Sequence, residues 1–486
     1  MTLCTDFSYS QVYQKEISHL REQSSIFFEL SCAVMSDPSK VFTLFGPEQP
    51  GNILKYGIVG YPNTGKSLLY NVLTEAQAPK QAVVDDVLFS TLETQIGHFK
   101  VPDERLDYLV KIYGAKGGNE MTAIVGDCPG LVKGSWTEEE GEGQSFLSNY
   151  RDCDILFHVV RGFENQELTH YHESVDPLRD VTLLNHELLM HDLIKIEARI
   201  VESYAETDLQ EYEHQPVGKS VKWERWVLLR GWELLVGRQR EETKVKGKSR
   251  PTPEMPNQCG GMALRYGQWE PFEQEYLERH GLLTTKPVVY LLNVSERDYL
   301  RGRNSHEEPL KAHIQEHLGF GEVVTMSFAF EMNLLQQKRQ GKLERYLKAN
   351  PSHGSKVPYA LFSTRRALKL ITFYVADPPE NTPNQINFIP VPNDQYVQPY
   401  YCREGTASID AAALIDTNLS RYFNRLLTYS YDDLHDEEGN FDRLNEVGKH
   451  RAQQKRYAMN DGDACEFFGY EVPKEELPPK KKKAAV

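Results

Sequence analysis

The stretch Gly60-Tyr61-Pro62-Asn63-Thr64-Gly65-Lys66-Ser67 follows the apolar run 56–59 and precedes a helix-forming run over 67–73. It matches the phosphate-binding pattern G-x-x-x-x-G-K-[ST] at every fixed position, in the strand-to-helix context that the pattern requires. Glycine at both ends of the loop lets successive backbone N–H groups turn inward toward phosphate oxygens, and the N-terminus of the following helix adds a positive dipole end. The sequence therefore predicts a nucleoside-triphosphate site within an α/β fold.

Three side chains are expected to meet the phosphates and a magnesium ion. Lys66 would place its charge on the β- and γ-phosphates, and the Ser67 hydroxyl would bind Mg²⁺. The apolar run 121–126 predicts a buried strand that delivers Asp127, the first residue of a D-x-x-G tetrad ending at Gly130. In switch-type nucleotide hydrolases this carboxylate holds Mg²⁺ through water, and the glycine amide senses the γ-phosphate.

Two further turns are expected to contact the base. The strand-like run 287–292 ends at Asn293-Val294-Ser295-Glu296, where guanine-specific relatives read N-K-x-D and the aspartate accepts two hydrogen bonds from guanine. Val294 and Glu296 replace the lysine and the aspartate, which predicts a preference for adenine. Ser327-Phe328-Ala329 follows the next strand-like run, at the position of a second base-contacting loop.

Composition limits the class of protein. The length of 486 residues suggests roughly three domains, and the formal net charge of -15 means that any nucleic acid must meet a local basic patch. Seven dispersed cysteines, with no C-x-x-C pair, indicate reduced thiols rather than a disulfide framework or a zinc site. No apolar run approaches the roughly 18 residues of a membrane span. We therefore expect a monomeric cytoplasmic protein with no membrane segment.

The order of patterns along the chain predicts the architecture. Strands that alternate with helices indicate a doubly wound α/β sheet with its ligand at the carboxyl ends of the strands. A helical stripe that begins at Asp176-Pro177 and a second apolar helix near 223–236 predict an inserted helical hairpin over 171–283. From about residue 372 the pattern changes to short strands and turns, which predicts a small separate α+β domain. A Lys-rich tail ends the chain.

These motifs together resemble the Obg-like ATPases, a family similar to translation-associated GTPases that prefers ATP. The resemblance covers most of residues 53–470. It rests on short matches at 57–67, 101–105 (V-P-D-E-R), 130–134 (G-L-V-K-G), 174–180 (S-V-D-P-x-R-D), 293–296 (N-x-S-E) and 461–463 (D-G-D).

The family's fold is a P-loop NTPase domain with an α-helical coiled-coil insertion and a TGS domain. It implies a nucleotide-binding domain at 53–170 and 284–350, the insertion at 171–283 and the TGS domain at 372–472. Residues 1–50 would be an N-terminal extension and 473–486 a basic tail. The family also implies Mg²⁺, ATP, and a role around ribosomes and in stress control.

The chain departs from the family pattern at several positions. Leu68, which is expected to belong to the nucleotide-binding residues, stands where the family has threonine after the serine of the loop, and Cys128-Pro129 stand where it has Ile-Ala. The segment 136–140 replaces much of a polar, Gly-rich switch, and 411–419 lacks the family's Gly-Lys-Ile-His-Thr-Asp-Phe run. The last two changes affect the switch and the surface shown to partners.

The group that assists hydrolysis is left open between two residues. Leu131 follows the D-x-x-G tetrad, where Ras-like hydrolases carry a water-orienting glutamine, and leucine cannot hydrogen-bond water. By resemblance, Asn63 would hold a K⁺ ion near the phosphates, or else it only shapes the loop. His170 matches a family histidine that positions water, or else it is an ordinary surface histidine. Thr91 matches the switch threonine that covers Mg²⁺ and the γ-phosphate.

Three functions therefore compete: an ATPase switch, a nucleotide-stabilised scaffold with weak catalysis, and a guanine-specific hydrolase. A ribosome or RNA partner would need a concentrated basic patch, and Lys449 to Arg456 is the best candidate. On a helix, Arg451 and Lys455 would share one face. The alternative is a solvated helix face that balances the acidic run 432–438.

Overall fold

The computed structural model describes residues 53–76, 95–127, 130, 150–165, 168, 170–210, 221–237, 261–318, 321–349, 353–376, 396–431, 451–453 and 456–469. The interpretations that concern Thr91, Leu131, residues 1–50 and residues 473–486 lie outside these ranges.

Twelve strands and twelve α-helices occur in the described ranges. The strands are β1 Lys55–Val59, β2 Gln95–Val101, β3 Gly117–Gly118, β4 Met121–Asp127, β5 Ile155–Arg161, β6 Val288–Asn293, β7 Glu322–Met326, β8 Leu370–Val375, β9 Tyr396–Arg403, β10 Phe423–Ser430, β11 Arg451–Gln453 and β12 Asp463–Gly469. The helices are α1 Lys66–Leu73, α2 Glu104–Tyr113, α3 Pro177–Gln210, α4 Val221–Val236, α5 Pro271–Arg279, α6 Glu296–Arg301, α7 Glu307–His313, α8 Phe328–Arg339, α9 Leu343–Ala349, α10 Val357–Ala367, α11 Ser408–Ile415 and α12 Thr417–Tyr422.

The first sheet has six strands in the order β2-β4-β1-β5-β6-β7. β2 is antiparallel to β4, and the other neighbours are parallel. β5 and β6 are buried along their whole length, as expected of central strands covered on both faces, whereas the edge strand β2 is largely exposed. Parallel pairing brings the carboxyl ends of β1, β5, β6 and β7 to one edge of the sheet. The predicted α/β P-loop fold is confirmed.

A pair of helices is inserted between β5 and β6. α3 begins at Pro177, as predicted from Asp176-Pro177, and the Asp176 carboxylate accepts a hydrogen bond from the Arg179 N–H at 3.2 Å. α3 and α4 then share one apolar core with the segment that leads back to β6. Its buried members are Ile196, Ile200, Val227, Leu228, Leu235, Leu264, Trp269, Leu277 and Leu282.

The second sheet has the order β11-β10-β12-β8-β9-β3, so it includes one short strand from the nucleotide-binding half of the chain. β3 pairs in parallel with β9. α2 covers this junction, and Leu106, Leu109 and Ile112 pack against Tyr374 and Val397 of the second sheet. The two halves of the chain therefore share a hydrophobic interface.

The prediction that the basic patch at 449–456 is a helix is wrong for residues 451–453. Residues Arg451–Gln453 form β11, which pairs antiparallel with β10 through Leu427 and Ala452. Local helix propensity is a weak preference, and an open edge of β10 offers the backbone N–H and C=O groups of 451–453 ready partners.

No helix among the described residues has the length and apolar character needed to cross a membrane.

Candidate nucleotide-binding site

The loop between β1 and α1 contains, in its second half, a backbone conformation that favours glycine. Gly65 has φ 104 in the left-handed region and directly precedes α1. A Cβ at Gly65 would lie 2.6 Å from Asn293 Nδ2 and 3.0 Å from the Phe328 ring. A Cβ at Gly60 would lie 2.7 Å from the Val159 carbonyl oxygen. The two glycines therefore let the loop lie in close contact with Val159, Asn293 and Phe328.

The loop is closed by its own side chains. Lys66 is the first residue of α1 and is buried, and its Nζ donates a hydrogen bond to the Tyr61 carbonyl at 2.8 Å. The Thr64 hydroxyl donates to the same carbonyl at 3.0 Å. Asn63, which lies between Tyr61 and Thr64 in the sequence, adopts a left-handed backbone with φ 59. The ammonium is thus positioned over the loop before any phosphate arrives.

Asp127 ends β4 beside the loop, opposite Ile58 of β1. Its carboxylate is fully buried, and among the described residues neither oxygen has a hydrogen-bond donor. Burial raises the pKa of Asp127; the Ser67 hydroxyl and the Lys66 ammonium oppose that rise from close range, although neither makes a well-formed hydrogen bond to the carboxylate. A buried carboxylate without a donor, next to a hydroxyl, fits the ligands of a hydrated Mg²⁺ ion. Gly130 follows closely, and a Cβ there would lie 2.7 Å from Pro62.

Asn293 ties the phosphate loop to the second base loop. It ends β6 and is buried; its Nδ2 donates to the Thr64 carbonyl at 2.9 Å. Its Oδ1 accepts the Phe328 N–H at 3.1 Å. Ser327 caps α8 by accepting the Phe330 N–H, at 3.4 Å. The three segments that the sequence assigned to phosphate and base are therefore joined through one amide side chain.

The other residues predicted to bind the nucleotide differ in burial and in the hydrogen bonds that their side chains make. Val294 is buried in the core, and its N–H donates to the Met326 carbonyl at 3.0 Å. Leu68 packs against the core beneath α1. Ala329, in the first turn of α8, is exposed. Glu296 begins α6, and its Oε1 accepts a hydrogen bond from Asn333 Nδ2 at 3.1 Å.

His170 is buried beside the loop rather than on the surface. Its Nδ1 accepts the His172 N–H at 3.0 Å, so this nitrogen carries no proton. Its Nε2 lies 2.9 Å from Asp180 Oδ2, although the N–H is not aligned with that oxygen. The neighbouring Tyr171 ring stacks on Tyr61 at 5.3 Å. Both ring nitrogens of His170 therefore face other residues of the protein, and neither faces the phosphate loop.

Arg161 is a residue of this site that sequence reasoning missed. It ends β5 and is about as buried as the strand's valines, and the pKa of its guanidinium is lowered by that burial. It donates to the carbonyls of Phe163 at 3.1 Å, Leu168 at 3.1 Å and Asn63 at 3.5 Å. It thereby links the phosphate loop to the segment that carries His170. The available signal was a charged residue at the end of a strand whose other residues, apart from His158, are apolar.

Comparisons with known proteins agree with this arrangement. A family model described as a 50S ribosome-binding GTPase matches residues 55–189, and a YchF GTPase C-terminal model, described as a protein of unknown function, matches 387–469. Obg-like ATPase 1 from Oryza sativa subsp. japonica is 32% identical over 419 residues, which is 86% of this chain and 92% of that protein. Obg-like ATPase 1 from Homo sapiens is 31% identical over 435 residues, 89% of this chain and 95% of that protein.

The solved structure of the Schizosaccharomyces pombe YchF GTPase is 28% identical in sequence to this chain and superposes on it with a TM-score of 0.61. The alignment covers 87% of this chain and 100% of the Schizosaccharomyces pombe chain. Since relatives above 30% identity align along more than nine-tenths of their own length, the chain belongs to the Obg-like ATPase family of P-loop nucleoside triphosphatases.

Proposed function

We propose that the chain binds and hydrolyses ATP with Mg²⁺ and acts as a conformational switch. The observation that carries this proposal is the buried Asp127 carboxylate, which has no donor among the described residues and lies beside Lys66 and Ser67. Ser67 and Asp127, with Thr91, would hold the ion. When bound, Mg²⁺ supplies positive charge to the β- and γ-phosphates. Lys66 adds its own charge from a position that the Tyr61 carbonyl already fixes.

The preference for adenine is supported by the base side of the site. A guanine-specific turn needs a lysine stem over the base and a short carboxylate with two accepting oxygens. Val294 is instead an apolar side chain buried in the core, and the longer Glu296 has one oxygen engaged by Asn333. The exposed Ala329 leaves room beside the second base loop.

Hydrolysis would depend on His170 or on a K⁺ ion near Asn63. His170 is close to the loop, but its Nδ1 accepts the His172 N–H and its Nε2 faces Asp180, so the ring would have to move away from Asp180 before Nε2 could contact water. Asn63 adopts a left-handed backbone in the phosphate loop, with φ 59, and by resemblance its side chain would help to hold the cation. K⁺ would then supply charge in place of an arginine finger.

The engaged nitrogens of His170 also favour a second candidate function, a nucleotide-stabilised scaffold with weak catalysis. In either case we propose that 372–472 is a TGS domain and that the chain associates with ribosomes or RNA. A cytoplasmic location and a monomeric state stay predictions from sequence.

Single-turnover hydrolysis of Mg-ATP and Mg-GTP, each in K⁺ and in Na⁺, tests these proposals. We expect tighter ATP binding and faster turnover in K⁺, and Lys66→Ala should lose both because the phosphates lose their nearest side-chain charge. ATP binding without measurable turnover in either cation would support the scaffold. Tighter GTP binding would overturn the adenine preference.

A further inference from the structure

A hydrogen bond between the side chains of Glu296 and Asn333 connects the two predicted base loops. Glu296 lies in the first turn of α6, directly after the Asn293 turn, and Asn333 lies in the second turn of α8, whose first turn holds Phe328 and Ala329. Asn333 Nδ2 donates to Glu296 Oε1 at 3.1 Å, and both side chains are half-buried. A side-chain contact therefore joins the two turns that the sequence assigns to the base.

Both partners of the Asn333 amide agree with one orientation of that amide. Gln337, one turn later in α8, donates from Nε2 to Asn333 Oδ1 at 3.2 Å. With its oxygen accepting from Gln337, Asn333 must present its NH₂ group to Glu296, which as a carboxylate can only accept. The two hydrogen bonds therefore run in one direction: Gln337 donates to Asn333, Asn333 donates to Glu296, and Glu296 Oε1 is the final acceptor.

This contact changes what the carboxylate can recognise. A carboxylate that reads guanine accepts from N1–H with one oxygen and from the 2-amino group with the other. Glu296 Oε1 is already engaged, so mainly Oε2 is left to accept a donor from the base. Adenine offers a single exocyclic amino group on its Watson–Crick edge, which matches one available oxygen.

We propose that Asn333 is a positioning residue that sets nucleotide specificity by holding Glu296 in a one-oxygen mode. The proposal rests on the adenine preference proposed above and names the residue that would maintain it. Without the Asn333 donor, Glu296 rotates, both oxygens become available, and the site gains the paired acceptors that guanine needs.

The test compares wild type with Asn333→Leu, which keeps the number and branching of the side-chain heavy atoms and removes the donor. Binding of ATP, GTP and ITP in Mg²⁺ is measured by titration calorimetry. We expect the ratio of the GTP and ATP dissociation constants to fall about tenfold, the effect of roughly one charged hydrogen bond. GTP should gain more than ITP, because ITP lacks the 2-amino group, and a purely structural defect would weaken all three nucleotides together.

Gln337→Leu is the matched control, because it removes a neighbouring amide in the same helix, while Glu296, which can only accept, still keeps the Asn333 NH₂ group directed at itself; we expect less than about a threefold change in the ratio. If Asn333→Leu fails to fold, Asn333→Ala carries the same comparison. A wild type that prefers ATP together with an unchanged ratio in the variant overturns the role of Asn333 alone. A wild type that binds GTP at least as tightly as ATP overturns the adenine preference itself.

Discussion

Arg105 Nη1 donates a hydrogen bond to Asp461 Oδ2 at 3.0 Å, across 356 residues of sequence. Arg105 belongs to α2, and Asp461 lies in the turn before β12, so the contact joins the two halves of the chain. Asp461 Oδ1 accepts the Thr372 N–H at 2.8 Å. The V-P-D-E-R and D-G-D motifs, which the sequence offered only as family signatures, meet at this interface and hold it together.

The first prediction concerns the two oxygens of Asp461. Its side chain is 40% exposed, so the ion pair itself contributes about 1 kcal/mol or less. Asp461→Asn keeps an oxygen for the buried Thr372 N–H and should lower the free energy of unfolding by under about 1 kcal/mol. Asp461→Ala leaves that N–H without its acceptor and should cost about 1–3 kcal/mol. Urea unfolding measures both, and equal losses would show that the charge dominates.

Asp103 provides a second link in the same interface. Its Oδ1 accepts the Arg105 N–H at 3.1 Å as the N-cap of α2, and its Oδ2 accepts a hydrogen bond from the fully buried Tyr374 hydroxyl. Asp103→Ala should therefore cost about 2–4 kcal/mol, from the lost cap and the unpaired hydroxyl. Tyr374→Phe removes the hydroxyl as well, so the double variant should lose less than the sum. Additive losses in denaturant unfolding would mean that the two groups do not interact.

The phosphate side of the site was predictable from sequence because its chemistry is local. Gly65, Lys66 and Ser67 occupy one turn and one helix start, where spacing along the chain fixes spacing in space. Arg161 was not predictable in this way, since its link to the phosphate loop is a contact with the Asn63 carbonyl, 98 residues away in sequence, which only the folded sheet brings close. The strand at 451–453 was missed for a related reason: its partner is the edge of β10, and no local pattern reports a distant edge.

The third prediction separates stability from function at Asp127. Because the buried carboxylate lacks a donor among the described residues, Asp127→Asn should raise the free energy of unfolding of the nucleotide-free protein, by up to about 1–3 kcal/mol. The same change should weaken ATP binding in Mg²⁺ at least about tenfold, while binding in EDTA changes little. Thermal unfolding and titrations in both media check it. Equal weakening with and without Mg²⁺ would contradict a role in holding the ion.

The fourth prediction concerns His170. His170→Ala should lower turnover while ATP affinity stays near that of wild type, the pattern of a group that acts only in the transition state. It should also cost about 1–3 kcal/mol in stability, because buried Asp180 loses the neighbour at 2.9 Å. His172→Ala, which changes the next histidine in the same segment, is the control. A loss of stability with an unchanged single-turnover rate would assign His170 a structural role and leave hydrolysis to Asn63 and its cation.

The last prediction is a pH dependence of stability that originates at His158. This histidine lies in the middle of β5 against the Tyr290 ring, and burial, with a smaller effect from the charge of Arg265, lowers its pKa to about 3. Burial raises the pKa of Tyr290 to about 12, so that neighbour stays neutral in acid. Between the two pKa values of His158, the unfolded chain binds a proton that the folded chain does not. The free energy of unfolding therefore decreases as pH falls below about 6.5, by about 2 kcal/mol between about pH 7 and pH 5.

His158→Phe keeps a ring of similar size, cannot take up a proton, and should remove this part of the slope. Urea unfolding at several pH values measures it, and parallel curves for wild type and variant would show that His158 is not the group responsible.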